Sequence, residues 1–288
     1  MQRSRQFPEW EKELLSGRST SHSITVSVGN GSPTEGRRPT TRRAVAIPAR
    51  EIEAVVFDLD NTLLRSPIGA RLALLTVAKL VSKQLKKNGY PMGQVRLFEH
   101  LRRIDREMLG RKFRYNRDVW WKTLFKELGL KRMGPKWIHD LTLQYWRVYA
   151  ANSPPFKDAE PTVRKLKRAG YKIGIVSDSD GTPEMKRKRI RQVPFHNLFD
   201  AIVVAGEDTP RVKPGHESFS LIARKLRVQP KSSIYIGDNP RTDIEGAKAV
   251  GMISVIVHRR GNQGGNPDYH VPNLRALPGL VRFIQLAR

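Results

Sequence analysis

Two aspartates one residue apart follow an apolar run in the stretch VVFDLDNTLL. The preceding residues IEAVVF are typical of a buried strand, and Asp58 and Asp60 would project from the same side of an extended backbone. Turn and helix-capping roles account for many aspartates at such places. Two like charges held close together are nevertheless costly unless a cation or a shared proton stabilises them. The pair therefore indicates chemistry, of a kind that the rest of the chain has to define.

Further polar residues follow the other apolar runs that are typical of strands. KIGIV is followed by SDSDGT, with Ser177 and Asp178, and AIVVA leads to GEDTPRVKPG, with Lys213. SIYI is followed by GDNPRTD, with Asp238 and Asp243. In an open α/β sheet the ligand lies beyond the carboxyl ends of the strands, so these side chains are expected at one edge of the sheet.

Aspartate oxygens without histidine or cysteine suit Mg²⁺, which keeps some of its coordination positions for water and phosphate. A lysine and a hydroxyl beside such a cation suit the oxygens of a phosphoryl group. One aspartate could then attack phosphorus and form an aspartyl-phosphate. A second aspartate, kept protonated by its neighbours, could pass a proton to the leaving alcohol and later accept one from water. One aspartate of the DLD pair would thus be the nucleophile and the other the acid–base group.

The motifs DLDNTL, Ser177 after an apolar strand, RVKPGHESF and GDNPRTD, in that order, resemble those of the haloacid dehalogenase superfamily of aspartate-nucleophile phosphohydrolases. The resemblance covers residues 52–260 and extends to an insertion after the first motif, which in this family forms a helical cap. It implies that Asp58 is the nucleophile and Asp60 the general acid and base. Ser177 would hydrogen-bond a phosphoryl oxygen, and Lys213 would neutralise that group and steady Asp58.

The same resemblance implies the remaining ligand contacts. Asp178, Asp180 and Asp208 are interpreted as loop or helix-capping residues and are placed outside the catalytic set. Asp178 is nevertheless included among the residues that bind the substrate phosphate. The implied ligands of the cofactor Mg²⁺ are Asp58, Asp60 through its backbone carbonyl, Asp238, and Asp243 directly or through water.

Asp60 also distinguishes two activities within the resembled family. The true dehalogenases lack an acidic residue two positions after the nucleophile, because a halide departs without a proton. Proton donation to an alcohol requires such an acid. The chain is therefore predicted to be a phosphatase or phosphotransferase, with 2-haloacid dehalogenase as the less favoured activity.

These side chains require a parallel sheet to bring them together. After residue 158, apolar runs alternate with amphipathic stretches, which predicts an α/β fold with a Rossmann-like parallel sheet sandwiched by helices. Five core strands are expected, the first being IEAVVF. Residues 51–64 and 158–288 would form this catalytic core.

Between the first and second strands the apolar spacing becomes helical for about ninety residues. Four amphipathic stretches predict an all-helical cap over residues 65–157. Four of the five tryptophans fall within it, and they are interpreted as the core of this insertion. They are Trp120, Trp121, Trp137 and Trp146.

Residues 1–50 are rich in Ser, Thr, Gly, Pro and Arg, which predicts a basic, largely disordered extension. The first residues contain no apolar core of a signal peptide, and the chain has no cysteine, so a cytoplasmic protein without membrane association is expected. The sequence makes no prediction of oligomeric state.

The chain carries 53 Lys and Arg against 27 Asp and Glu, a net charge of +26. Residues 65–156 alone carry 20 basic and 6 acidic residues. Such an excess attracts anions, so the predicted substrate is a small phosphorylated metabolite or a nucleotide. Two alternatives stay open. The first is a nucleic-acid-associated protein with end-phosphatase or vestigial activity. The second is a non-catalytic scaffold, and the paired carboxylates argue against it because a scaffold has no need to hold like charges together.

Overall fold

The computed structural model describes residues 51–110, 115–130, 133–259 and 264–286. The predicted disordered extension, residues 1–50, lies outside the described residues.

The described strands form one six-stranded sheet in which every pairing is parallel. The strands are β1 (Ala54–Phe57), β2 (Lys172–Asp178), β3 (Ala201–Ala205), β4 (Ser233–Gly237), β5 (Ile253–Val257) and β6 (Tyr269–Val271). Their order is β3-β2-β1-β4-β5-β6. The predicted Rossmann-like α/β fold is confirmed. The sixth strand was not predicted, because its three residues YHV are too few to show a periodicity.

Five of the described α-helices lie between β1 and β2 in the chain, of which the first four form the insertion, and the other four follow β2, β3, β4 and β6. The described helices are α1 (Ser66–Lys87), α2 (Gln94–Gly110), α3 (Arg117–Glu127), α4 (Pro135–Ala151), α5 (Ala159–Arg168), α6 (Met185–Arg191), α7 (His216–Leu226), α8 (Glu245–Ala249) and α9 (Leu277–Leu286). Among these described helices, none combines the length with the apolar composition needed to cross a lipid bilayer.

Alternating residues of the central strand β1 belong to two separate apolar clusters. Val55 and Phe57 face the cluster that includes residues of α5, α6 and α9, whereas Ala54 and Val56 face the one built on α7 and α8. Successive side chains of a strand point to opposite faces, so a strand buried on both faces must be apolar throughout. The sheet is therefore covered by helices on both sides.

The four helices α1–α4 have an apolar cluster of their own. Trp120, Trp121 and Trp146 are buried in it, and Trp137 packs against it half-buried, which confirms their interpretation as core residues. Aromatic contacts such as Trp121 with Tyr145, whose ring centroids are 5.8 Å apart, hold α3 against α4.

The chain leaves the sheet for these helices and returns through two segments that pair with each other. The backbone N–H of Phe156 donates to Leu63, and that of Arg65 donates to Pro154, both at 2.9 Å. Arg259 fastens this crossing from the core, since its guanidinium bonds to the Asp158 carboxylate at 2.9 and 3.0 Å. The helical insertion is thus connected beside the carboxyl end of β1.

Candidate active site

Strand β1 lies at the centre of the sheet, between β2 and β4. Its last residue, Phe57, is in register with Ile175 of β2 and Ile236 of β4. The next backbone N–H, that of Asp58, donates to the Ile236 carbonyl at 2.9 Å. The residues that follow these three strands therefore meet at one edge, as the sequence predicted.

The turn after β1 is fixed by Asn61. Its backbone has a φ of 62°, in the left-handed region that asparagine tolerates better than most residues. Its side-chain amide donates to the carboxylate of Asp238. The turn thus ties the end of β1 to the end of β4.

Three carboxylates converge where β1 and β4 end. Oxygens of Asp58, Asp238 and Asp243 all lie within 4.8 Å of one another, and Asp58 and Asp243 are buried. A cluster of carboxylate oxygens alone fits a hard divalent cation such as Mg²⁺. Gly237 permits this arrangement, because a Cβ at that position would overlap the Asp243 carboxylate.

Lys213 bridges two members of this cluster. Its ammonium group donates to Asp58 Oδ1 and to Asp243 Oδ1, each at 2.6 Å, and lies 3.3 Å from the Tyr235 hydroxyl. The lysine is only 3% exposed. It therefore neutralises part of the negative charge that the convergent aspartates create.

Burial raises the pKa of Asp58 to about 8, and Asp243 and Asp238 add to this effect, while Lys213 opposes it. Burial by itself lowers the pKa of Lys213, but the carboxylates of Asp243 and Asp58 outweigh it and hold that pKa well above its ordinary value. The lysine is consequently charged, and a proton or a second cation is needed to balance the carboxylates.

Asp60 faces entirely different neighbours. Its carboxylate accepts from Lys186 at 2.6 Å, from Arg189 through both guanidinium Nη atoms, and from the Tyr149 hydroxyl at 3.0 Å. Burial alone would raise its pKa, but Arg189 and Lys186 hold the pKa of Asp60 well below its ordinary value. Its side chain is thus positioned by α6 and by the helical insertion, outside the three-carboxylate cluster.

Ser177 and Asp178 belong to β2, which continues two residues further than the apolar run indicates. Ser177 is buried and in register with Val204 of β3. The Asp178 carboxylate accepts from the backbone N–H of Lys213 at 2.8 Å and from the Tyr115 hydroxyl at 3.0 Å. Asp178 thus fixes the loop that carries the lysine. The predicted phosphate contacts of Ser177 and Asp178 stay predictions.

Tyr115 comes from the segment before α3, so the helical insertion reaches the site here as well. Gly181 of the core allows this approach, because a Cβ there would overlap the backbone of Tyr115 and Asn116. Burial, followed by the charge of Asp178, raises the pKa of the Tyr115 phenol, which therefore stays a hydrogen-bond donor.

Several residues of the site were not identified from the sequence. Lys186 and Arg189 belong to the run KRKRIR, whose basic residues are typical of a solvated helix face, yet both side chains are almost completely buried. Asp180, interpreted as a loop residue, contacts both of them at 2.9 Å. The i, i+3 spacing of Lys186 and Arg189 is the sequence pattern that could have placed them on one helix face.

Comparison with known proteins assigns a family to this arrangement. A family model described as haloacid dehalogenase-like hydrolase matches residues 52–251. The chain is 26% identical to a glyceraldehyde 3-phosphate phosphatase of Methanopyrus kandleri over 80% of this chain and 97% of that protein. It is 28% identical to a ribulose-1,5-bisphosphate 5-phosphatase of Halopiger xanaduensis over 70% of this chain and 83% of that protein.

A solved structure agrees with these sequence relatives. The crystal structure of a HAD phosphatase from Thermococcus onnurineus superposes with a TM-score of 0.59 at 28% identity, covering 80% of this chain and 97% of that one. The site residues described above, which lie between Asp58 and Asp243 in the chain, all fall within the range 52–251 that the family model matches.

Proposed function

This chain belongs to the haloacid dehalogenase-like hydrolases, and we propose that it is a Mg²⁺-dependent phosphomonoester hydrolase that acts through an aspartyl-phosphate on a small phosphorylated metabolite. Membership of the predicted family is confirmed. The catalytic residues, the metal ligands and the division into core and cap are part of the proposal.

One observation carries the proposal: Lys213 donates to Asp58 and Asp243 at 2.6 Å, and these two buried carboxylates lie beside a third, half-buried one, that of Asp238. A structural role gives no reason to bring three repelling carboxylates together and to bury two of them, because their desolvation is costly. A site that receives a divalent cation does, since the cation supplies the positive charge that balances these carboxylates and can also bind the oxygens of a phosphoryl group.

In the first half-reaction an oxygen of Asp58 forms a bond to phosphorus while the bond between phosphorus and the leaving oxygen breaks. Asp60 gives its proton to that oxygen, and Ser177 and Lys213 bind the phosphoryl oxygens. In the second half-reaction water attacks the phosphoryl group and Asp60 takes up its proton. Asp58 is released unchanged, and inorganic phosphate is the product.

Arg189 and Lys186 favour the ionised form of Asp60, which is the form that can accept a proton from water in the second half-reaction. For the first, a phosphate group arriving beside Asp60 adds negative charge, and nearby negative charge raises the pKa of a carboxyl group. Substrate binding is therefore expected to favour protonation of Asp60.

Asp58, Asp238 and Asp243, with the backbone carbonyl of Asp60, would hold the magnesium ion. When bound, Mg²⁺ would stabilise negative charge on the transferring phosphoryl group. Lys213 supplies a fixed positive charge that bonds to both Asp58 and Asp243, so the nucleophile keeps its orientation.

Both named relatives act on small phosphorylated sugars, which supports a substrate of this size class. The alternative of nucleic-acid binding rested on the net charge and on the basic residues of the N-terminal extension and the cap. In the basic run KRKRIR of α6, two residues, Lys186 and Arg189, are buried in ion pairs, which leaves less of that run for a nucleic-acid surface. We therefore retain the small-substrate proposal.

The proposal is tested by release of p-nitrophenol from its phosphate ester with Mg²⁺, with a chelator, and with Asp58→Asn. Turnover that requires Mg²⁺ and falls by at least about 1000-fold in the variant is expected. Asp140→Asn, which changes a half-exposed carboxylate on α4, serves as the matched control and should retain full activity. Turnover in the presence of chelator, or undiminished in Asp58→Asn, would refute the mechanism.

A further inference from the structure

The carboxylate of Asp60 is held by four contacts from three side chains. Lys186 and Arg189 approach from α6, and Tyr149 approaches from α4 of the helical insertion. The two cations are 3% and 4% exposed, so their ion pairs lie largely out of water. Charge-assisted bonds of this kind are stronger and more directional than neutral ones.

Both cations are themselves held in place. Asp180 contacts the ammonium group of Lys186 at 2.9 Å and accepts from Arg189 at 2.9 and 3.0 Å. The guanidinium of Arg189 also lies 4.2 Å from the ring centroid of Tyr149. The cations therefore form a rigid support, since each has a second anchor besides Asp60.

This support matters because of where Asp60 lies in the chain. Asp60 follows β1 by three residues, in the turn that Asn61 closes, so its side chain has no strand or helix of its own to fix it. A general acid has to stay within hydrogen-bond reach of the leaving oxygen, and errors of about 1 Å cost about 100-fold in rate.

This inference rests on the proposed function: we propose that Lys186 and Arg189 are positioning residues that orient the Asp60 carboxylate for proton transfer to the leaving group. Asp180 holds the two cations from behind. The bond from Tyr149 connects the same carboxylate to the helical insertion, so the orientation of Asp60 depends on α6 and α4 together.

The test uses two substrates that differ in how much they need a proton. p-Nitrophenyl phosphate releases a stable anion without one, whereas phenyl phosphate has the same shape around phosphorus but a more basic leaving oxygen. Loss of proton donation is expected to slow phenyl phosphate by about 100-fold and p-nitrophenyl phosphate much less. A variant that merely damages the fold slows both equally.

We expect Arg189→Met to lower kcat for phenyl phosphate about 100-fold, with KM little changed and the p-nitrophenyl ester affected less than about 5-fold. Lys186→Met, which leaves Arg189 between the two aspartates, should show the same pattern more weakly. Arg189→Lys should recover part of the rate, because it restores the charge without the two-pronged geometry. Arg191→Met, on the exposed end of α6, is the control and should match the unmodified protein.

The double variant Asp60→Asn with Arg189→Met distinguishes positioning from an independent effect. If Arg189 acts through Asp60, the double variant is no slower than Asp60→Asn alone. Equal slowing of both substrates by Arg189→Met, or losses that multiply in the double variant, would overturn the inference. If the unmodified protein hydrolyses neither ester with Mg²⁺, the proposed function fails instead, and this inference falls with it.

Discussion

Asp58 and Asp60 are separated by one residue, yet their surroundings are opposite in charge. Asp58 lies among two further carboxylates and one lysine, whereas Asp60 lies between a lysine and an arginine. The pKa of Asp58 is raised to about 8 by burial and its acidic neighbours, and the pKa of Asp60 is lowered by its basic ones. The Asp58 side of the DLD motif therefore carries an excess of negative charge, whereas the charge of Asp60 is already compensated by its neighbours.

The difference originates in the elements that surround each side chain. The neighbours of Asp58 come from the carboxyl end of β4 and from the loop after β3. The neighbours of Asp60 come from α6 and from α4 of the insertion. A cation site and an acid–base group can therefore occupy adjacent positions of one turn, because different parts of the fold supply their charges.

The largest expected effect comes from removing the positive charge of Lys213, which bridges Asp58 and Asp243. Lys213→Met should lower kcat/KM by about 1000-fold, because it removes a fixed donor to the phosphoryl group and to the nucleophile. It should also destabilise the metal-free protein by about 3–5 kcal/mol, since it leaves buried carboxylates unpaired. Steady-state kinetics and chemical denaturation measure the two effects.

Lys231→Met, which changes an exposed lysine in the turn Pro230–Ser232, is the control for this substitution. Added Mg²⁺ should stabilise the Lys213→Met variant more than it stabilises the unmodified protein, because more negative charge awaits the ion. A variant that keeps its activity would show that Lys213 is not part of the phosphate site.

The side of the site around Asp58 could be predicted largely from the sequence. Each of its residues follows an apolar run, and the parallel sheet necessarily brings such positions together. The residues around Asp60 could not be predicted from the sequence in this way. Lys186 and Arg189 follow no strand, and a basic residue on an amphipathic helix is exposed far more often than buried. Their burial depends on how α6 packs, which no local pattern encodes.

The fold shows the same division. The strand β4 consists of the run SIYI and one further residue, so the sequence predicted it closely, because a strand buried on both faces is largely apolar throughout. β2 continues through Ser177 and Asp178, whose polar side chains hide the end of the strand from any hydropathy pattern. Polar residues that end a strand at a functional site therefore blur its boundary in the sequence.

The two aspartates should also respond differently to pH. A carboxyl group whose pKa is raised on folding stabilises the folded chain at low pH, and this contribution is lost as pH rises from the ordinary 3.8 towards about 8. Metal-free stability should therefore fall as pH rises across this range. The affinity for Mg²⁺ should increase over the same range, by up to about tenfold per pH unit, because the ion displaces a proton from Asp58.

Calorimetric titration of Mg²⁺ at several pH values, with thermal unfolding in parallel, measures this dependence. Asp58→Asn should remove it, whereas Asp60→Asn should leave it intact, because the lowered pKa keeps Asp60 ionised throughout. A dependence that survives in Asp58→Asn would assign the proton elsewhere. Asp178, whose pKa is also raised by burial, would then be the first residue to examine.

The smallest effect is expected where an ion pair lies in water. Lys136 and Asp140 form an i, i+4 pair at 3.2 Å on α4, and the lysine side chain is 91% exposed. Water and salt screen such a pair, so Lys136→Ala should change the thermal midpoint by less than about 2 °C and leave kinetics unaltered. A larger shift would mean that exposed charges on the insertion contribute to stability. The larger loss of stability expected for Lys213→Met would then have to be attributed to the number of charged groups around Lys213, and not to its burial.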